Sequence, residues 1–221
     1  MNIFDILGPV MVGPSSSHTA GATRIGFITR KLLGCKPVKA TIGLCGSFAA
    51  TGKGHGTDRA IIAGLLGMQP DDMRIPESFE IAKQEGLQFD ISNIQVKEAH
   101  PNTAVIKAIG EDGRSLEVQA SSLGGGRILL NKIDGIVVNC TGSCPTLIIR
   151  NEDSPGQVAE VTSMLYQKHV NIATLQLYRD KRGGDAVMVI ETDQPVYKAT
   201  ICNLEQLEGI KKVTYIGEEE Q

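Results

Sequence analysis

Tryptophan is absent from this chain, and four tyrosines and five phenylalanines are all it carries of the larger aromatics. So thin a supply offers no stacking platform for nucleic-acid bases. A basic surplus is missing too: 22 lysines and arginines stand against 25 acidic residues, a net charge of −3, which argues against a nucleic-acid-binding face. No run approaches the roughly 20 apolar residues of a membrane-spanning helix. The opening segment "MNIFDILGPV" carries Asp5 and no basic residue, so it does not read as a secretory signal. Five cysteines, an odd number without a tight framework, exclude a disulfide scaffold and fit a reducing cytosol. The expectation is a cytoplasmic protein with neither nucleic acid nor membrane as partner.

What is present is a chain of 221 residues, long enough for one large domain or two modest ones. Its 41 % hydrophobic content suffices for a packed core. Twenty-five glycines point to many tight turns, or to backbone that must approach something closely.

Along the first part, Ala22, Ile25, Thr29, Leu32 and Leu33 recur at helical spacing, and Gly34 supplies a stop. Val38 to Gly46 alternates like a half-buried strand. In "SFAATGKGHGTDRAIIAGLLG" the glycine-rich first half predicts a loop, and the second half, from Asp58 to Gly67, a short apolar helix. "NIQVKEA", "TAVIKAIG" and "SLEVQASSLGGG" read as three strands, with Glu111 to Arg114 turning between the last two. The pattern resets near Asn139 to Thr146. Beyond it come a strand "TLIIRNE", a helix opened by Asp153-Ser154-Pro155-Gly156, a hairpin around "KRGG", a second helix and a last strand. This β-α-β-β-α-β order is the ferredoxin-like split βαβ arrangement. The expected class is α+β: a mixed α/β domain over 1–144 and a ferredoxin-like domain over 145–221.

Three polar stretches stand out. "GPSSSHTAG", Gly13 to Gly21, puts three serines, a histidine and a threonine just before a helix. Ser17 or Thr19 is a natural N-cap there, but capping needs only one hydroxyl. A helix start with exposed N–H groups also attracts carboxylate or phosphate. In "TGKGHGTDRA" the glycines Gly52, Gly54 and Gly56 interleave with Lys53 and His55, ahead of a helix that Thr57 or Asp58 can cap. It is similar to a phosphate-binding loop without the Walker spacing, and the plain alternative is a flexible turn with a solvated lysine. His55 has the chemistry of a base near neutrality. The third stretch, "HPNT" from His100 to Thr103, is weak alone, since His and Asn are common in turns. No metal site is expected on this chain. Cys140 and Cys144 are spaced C-x-x-x-C without a completing pair, and Cys35, Cys45 and Cys202 sit in apolar contexts that suit core thiols.

In this order, "GPSSSHT", "GSFAATGKGHGTD" and "HPNT" resemble the β chain of bacterial iron–sulfur-dependent L-serine dehydratases (L-serine ammonia-lyases), over essentially the whole chain. The stretch with "NEDSPGQVAEV" resembles an ACT domain, an amino-acid-sensing module, and the family's N-terminal domain resembles the regulatory substrate-binding domain of some phosphoglycerate dehydrogenases. The resemblance implies conversion of L-serine to pyruvate and ammonia at a [4Fe–4S] cluster held by a separate α subunit. It implies that Ser15, Ser16, Ser17, Thr19, Lys53, Thr57, Asp58, His100 and Asn102 bind substrate. His55 is the first choice for the base and His18 the second. Asp153, Pro155 and Gly156 would meet the ACT ligand, and ACT pairing would dimerise the chain. Two other readings stay open: a regulatory subunit without chemistry, and an enzyme using "TGKGHGTD" as a cradle for a phosphorylated substrate.

Overall fold

The computed structural model describes residues 10–142 and 144–217. The first nine residues, which include Asp5, lie outside them. Among the described residues no helix is long and apolar enough to cross a membrane. The chain divides into two compact units, Met1–Asp134 and Gly135–Gln221.

In the first unit a π-helical turn, Ser16–Gly21, runs into helix α1, Ala22–Leu33. The positions read from the sequence are all buried in α1, together with Thr23, Gly26 and Ile28, and Gly34 closes it with a left-handed φ of 78°. Strand β1 (Pro37–Leu44) leads into α2 (Gly46–His55), α3 (Thr57–Leu65) and a short α4 (Ser78–Gln84). Strands β2 (Gln88–Asn93), β3 (Thr103–Gly110), β4 (Ser115–Gly124) and β5 (Arg127–Ile133) follow. Their order in the sheet is β2-β1-β3-β4-β5, with β1 and β2 parallel and the other pairs antiparallel. Helices α1 and α3 meet backbone to backbone. A Cβ on Gly26 would stand 2.2 Å from the Ile61 carbonyl, and one on Gly64 would stand 2.1 Å from the Thr23 carbonyl. Only glycine allows that approach.

Two expectations are corrected here. The glycine-rich stretch is a helix, α2, not a loop. Its interior glycines, Gly52 and Gly54, cost about 1 kcal/mol each relative to alanine. Full burial of Phe48, worth about 1.5–3 kcal/mol, offsets that cost. The Pro101 carbonyl then accepts from the backbone N–H groups of Ser47 and Phe48, at 2.8 and 3.4 Å, and so caps the helix from a distant turn. The second correction concerns "NIQVKEA": strand β2 ends at Asn93, before most of it. Glu98, with φ 58°, has left the extended region altogether. Strand β5, helix α4 and strand β6 (Ile136–Cys140) were not foreseen.

After β6 the second unit continues with β7 (Thr146–Glu152), α5 (Gln157–Gln167), β8 (Ile172–Arg179), β9 (Asp185–Thr192), α6 (Lys198–Glu205) and β10 (Ile210–Ile216). The strands order as β10-β7-β9-β8, all antiparallel. Leu147, Ile149, Val161, Leu165, Met188, Ile190 and Leu204 form the core between sheet and helices. This is the expected β-α-β-β-α-β layout. The compact units part at Asp134, and the second of them includes β6.

Candidate functional site

The serine-rich turn is held by Ser15. Its Oγ accepts from the His18 backbone N–H at 3.1 Å, so the cap is Ser15 rather than Ser17 or Thr19. Thr19 is instead buried, and its hydroxyl donates to the His55 carbonyl at 3.4 Å. Ser16 Oγ accepts from the Gly125 N–H at 3.3 Å. Ser17 is half-buried, its Oγ 3.5 Å from where a Cβ on Gly124 would stand. Buried Ser122 presses on the same turn: a Cβ on Gly21 would lie 2.0 Å from its Oγ.

His18 is the most connected of these residues. Nδ1 lies 3.4 Å from Ser15 Oγ, and Nε2 lies 3.1 Å from both Ser47 Oγ and Thr51 Oγ1. Phe48 meets the ring edge-on at 5.2 Å between centroids, and the His55 ring is tilted against it at 5.1 Å. Burial, and then the nearby His55, hold the His18 imidazole below its ordinary value of 6.5, while the Ser47 backbone carbonyl raises it. Two imidazoles at this separation resist being protonated together.

His55 ends α2 just before Gly56, which turns with φ 69° into α3. It is exposed on a cleft of about 300 Å³ that Pro14, Thr19, Gly56 and Arg59 also line. Neither Thr57 nor Asp58 caps α3, whose first position follows left-handed Gly56 without a side-chain cap. Thr57 is buried instead, and Asp58 accepts from the Arg59 N–H at 2.8 Å. The side chain of Lys53 lies outside the described structure. The third stretch joins through backbone: Cys45 N–H donates to the Thr103 carbonyl at 2.9 Å, beside the Pro101 cap on α2. His100 is exposed, its Nδ1 accepting from the Asn102 N–H at 3.1 Å. Thr57 Oγ1, Asn102 Oδ1 and Ser122 Oγ are buried and have no hydrogen-bond partner among the described residues.

The structure therefore brings the first two stretches into side-chain contact and clamps the third against the start of α2. Ser47 and Thr51 were missed. Their signal was two hydroxyls four apart in "SFAAT", visible only once that stretch is taken as helix. In the second unit Asp153 accepts from the Arg179 guanidinium and the Gly183 N–H, both at 2.9 Å. Those bonds, the Gly183 one first, hold its carboxyl below the usual range. Pro155 and left-handed Gly156 are exposed at the start of α5.

The cysteines do not fit an iron–sulfur cluster. Cys45 and Cys140 are buried, Cys35 is half-buried, and Cys144 and Cys202 are exposed. Burial pushes the Cys140 thiol up to about 11 and raises Cys45 as well, away from the thiolate form that metal requires. Among the described residues no three His, Cys, Asp or Glu side chains converge as metal ligands.

Comparison with known proteins matches the serine dehydratase beta chain family over residues 2–85 and the ACT domain over residues 145–209. A probable L-serine dehydratase beta chain of Bacillus subtilis is 39 % identical over 217 residues, 98 % of each chain. An L-serine dehydratase beta chain of Peptoniphilus asaccharolyticus is 36 % identical, covering 95 % of this chain and 96 % of that one. A D-3-phosphoglycerate dehydrogenase of Synechocystis is 24 % identical over 86 % of this chain and 34 % of its own length. The chain belongs to the family of L-serine dehydratase beta chains, and its C-terminal part is an ACT domain.

Proposed function

We propose that this chain is the β subunit of a two-chain L-serine dehydratase, and that it supplies the groups that hold the amino acid and move its protons. The observation that carries this is the His18–His55 pair at 5.1 Å, set at a serine-capped helix start. Eliminating water from L-serine requires a base for the α-proton and an acid for the leaving hydroxyl. His55, exposed on the cleft, is the base. His18, fixed by hydroxyls on both ring nitrogens, is its partner. Ser15, Ser16, Ser17 and Thr19, with Lys53, Thr57, Asp58, His100 and Asn102, make the surrounding polar site. The N–H groups of the capped turn and the orphaned hydroxyls suit the substrate carboxylate.

A [4Fe–4S] cluster belongs, in this reading, to a separate α chain, a placement supported by the lack of any three converging His, Cys, Asp or Glu side chains among the described residues. The ACT domain binds an amino acid near Asp153, Pro155 and Gly156, and pairs two copies of the chain. A purely regulatory role for the whole chain is the rival, and the ACT match favours it for the C-terminal part. Mixing separates them. Serine turnover should need this chain together with an iron-loaded α chain, and should fall with His55→Ala while the two chains still co-elute. Near-normal turnover by that assembled variant overturns the assignment of His55. Iron–sulfur chromophore formed on this chain alone, after anaerobic reconstitution, overturns the split site.

A further inference from the structure

The two nitrogens of His18 face different chemistry. Ser47 and Thr51 lie one turn apart on α2, so both hydroxyls reach the ring from the same face, each 3.1 Å from Nε2. A hydroxyl has one proton to give. Thr51 donates its own to the Ser47 backbone carbonyl at 2.9 Å, the back-bond common to threonine in helices, and so has only lone pairs left for His18. A ring nitrogen that faces such an oxygen must itself carry the hydrogen. On the other side, Ser15 Oγ already accepts from the His18 backbone N–H at 3.1 Å, so its proton is free to point at Nδ1, 3.4 Å away.

We infer that Thr51 is a positioning residue that locks neutral His18 in the Nε2–H tautomer, making Nδ1, on the Ser15 side, the nitrogen that takes up and returns protons. This rests on the reading of His18 as a proton carrier of the site. The tautomer matters because burial keeps the ring neutral at neutral pH, and a neutral imidazole accepts a proton at one nitrogen only. The Ser47 hydroxyl cannot impose the choice, since it can donate or accept, and the Ser47 carbonyl, which only accepts, favours a ring hydrogen on the same side as Thr51 does. Thr51 can impose it.

Valine at this position keeps the shape and removes the acceptor. The Ser47 hydroxyl is then the remaining side-chain partner of Nε2, and by donating to it populates the opposite tautomer beside the first. The test is two-bond ¹⁵N–¹H correlation of the full chain labelled at its four histidines, with His18→Gln to assign the signals. Wild type and Thr51→Ser should show Nε2–H at His18, and Thr51→Val a shift toward Nδ1–H. Nδ1–H in wild type, or an unchanged tautomer in Thr51→Val, overturns the inference. In the assembled two-chain enzyme Thr51→Val should lower kcat at least ~10-fold with KM nearly unchanged. That is short of the ~10⁴-fold loss of a histidine trapped in the wrong tautomer, because Ser47 leaves both forms populated. A shifted tautomer with unaltered kcat would leave the hold of Thr51 on the ring intact and overturn the role of His18 instead.

Discussion

At the start of the first unit Ser15, His18, Ser47 and Thr51 spend their polar atoms on one another, inside an angle formed by the π-helical turn and α2. At the corresponding place in the second unit, α5 begins at left-handed Gly156 with no side-chain cap, and Asp153 is tied to Arg179 and Gly183 at the surface. The first arrangement holds an imidazole in one orientation between two elements. The second leaves Pro155 and Gly156 exposed to solvent. Rigid positioning suits proton transfer, and an exposed loop suits sensing.

The comparison can be broken most severely at the helix contact that supports the rigid site. Gly64→Val drives a side chain into the Thr23 carbonyl and the Phe27 N–H, at 2.1 and 2.6 Å from its Cβ. We expect a loss of about 3 kcal/mol or more. Guanidinium unfolding should show it, and amide exchange should confine it to the first unit, with the β7–β10 sheet keeping its protection. A loss shared equally by both sheets would erase the distinction between the units.

Next in size, His18→Ala in the assembled enzyme should reduce turnover at least ~10²-fold, the scale for losing a positioned acid or base. Retained kcat would reduce the hydroxyl cage around His18 to packing. Smaller still is Ser16→Ala, whose hydroxyl meets the Gly125 N–H. It should raise KM several-fold, about 1 kcal/mol of binding, and lower kcat less, because a carboxylate anchor serves ground and transition states alike. A pure kcat effect would move Ser16 from binding to proton transfer.

Acid gives the gentlest contrast. His18 in the folded chain is harder to protonate than its ordinary 6.5, so the unfolded state binds the proton first. Its share of stability is complete above 6.5 and is lost as pH falls through that value toward the folded one. Asp153 is also depressed, from 3.8, so its contribution survives until pH falls below 3.8 toward the folded value. Amide exchange on descending pH should therefore loosen the serine-rich turn before the Gly183 N–H. The reverse order would contradict the burial of His18.

Legibility differed between the units for a physical reason. Every element of the β7–β10 unit follows from residues close in sequence: alternation in "TLIIRNE", a glycine turn in "KRGG", helical spacing of Val158, Val161 and Leu165. Helix α2 could not be read that way. Its glycines argue for a loop on intrinsic propensity, and the groups that overrule them, the Pro101 carbonyl and the pocket around Phe48, come from elsewhere in the chain. The cap shifted from Ser17 or Thr19 to Ser15 on the same account, since a hydroxyl is chosen by the turn it faces and not by its type.

The sequence by itself determined the chemistry available: three polar stretches, each with one histidine, and a C-terminal run whose local periodicity specifies a ferredoxin-like sheet. Tertiary structure alone decided that "SFAATGKGH" is helical, and so which hydroxyls share a face. It also decided that Ser47, 29 residues from His18, stands beside Nε2, and that the His18 and His55 rings lie 5.1 Å apart. Spacing along a chain defines neighbours only within one element. Which nitrogen of an imidazole meets which oxygen is settled when separate elements pack, by burial energies far larger than any single hydrogen bond.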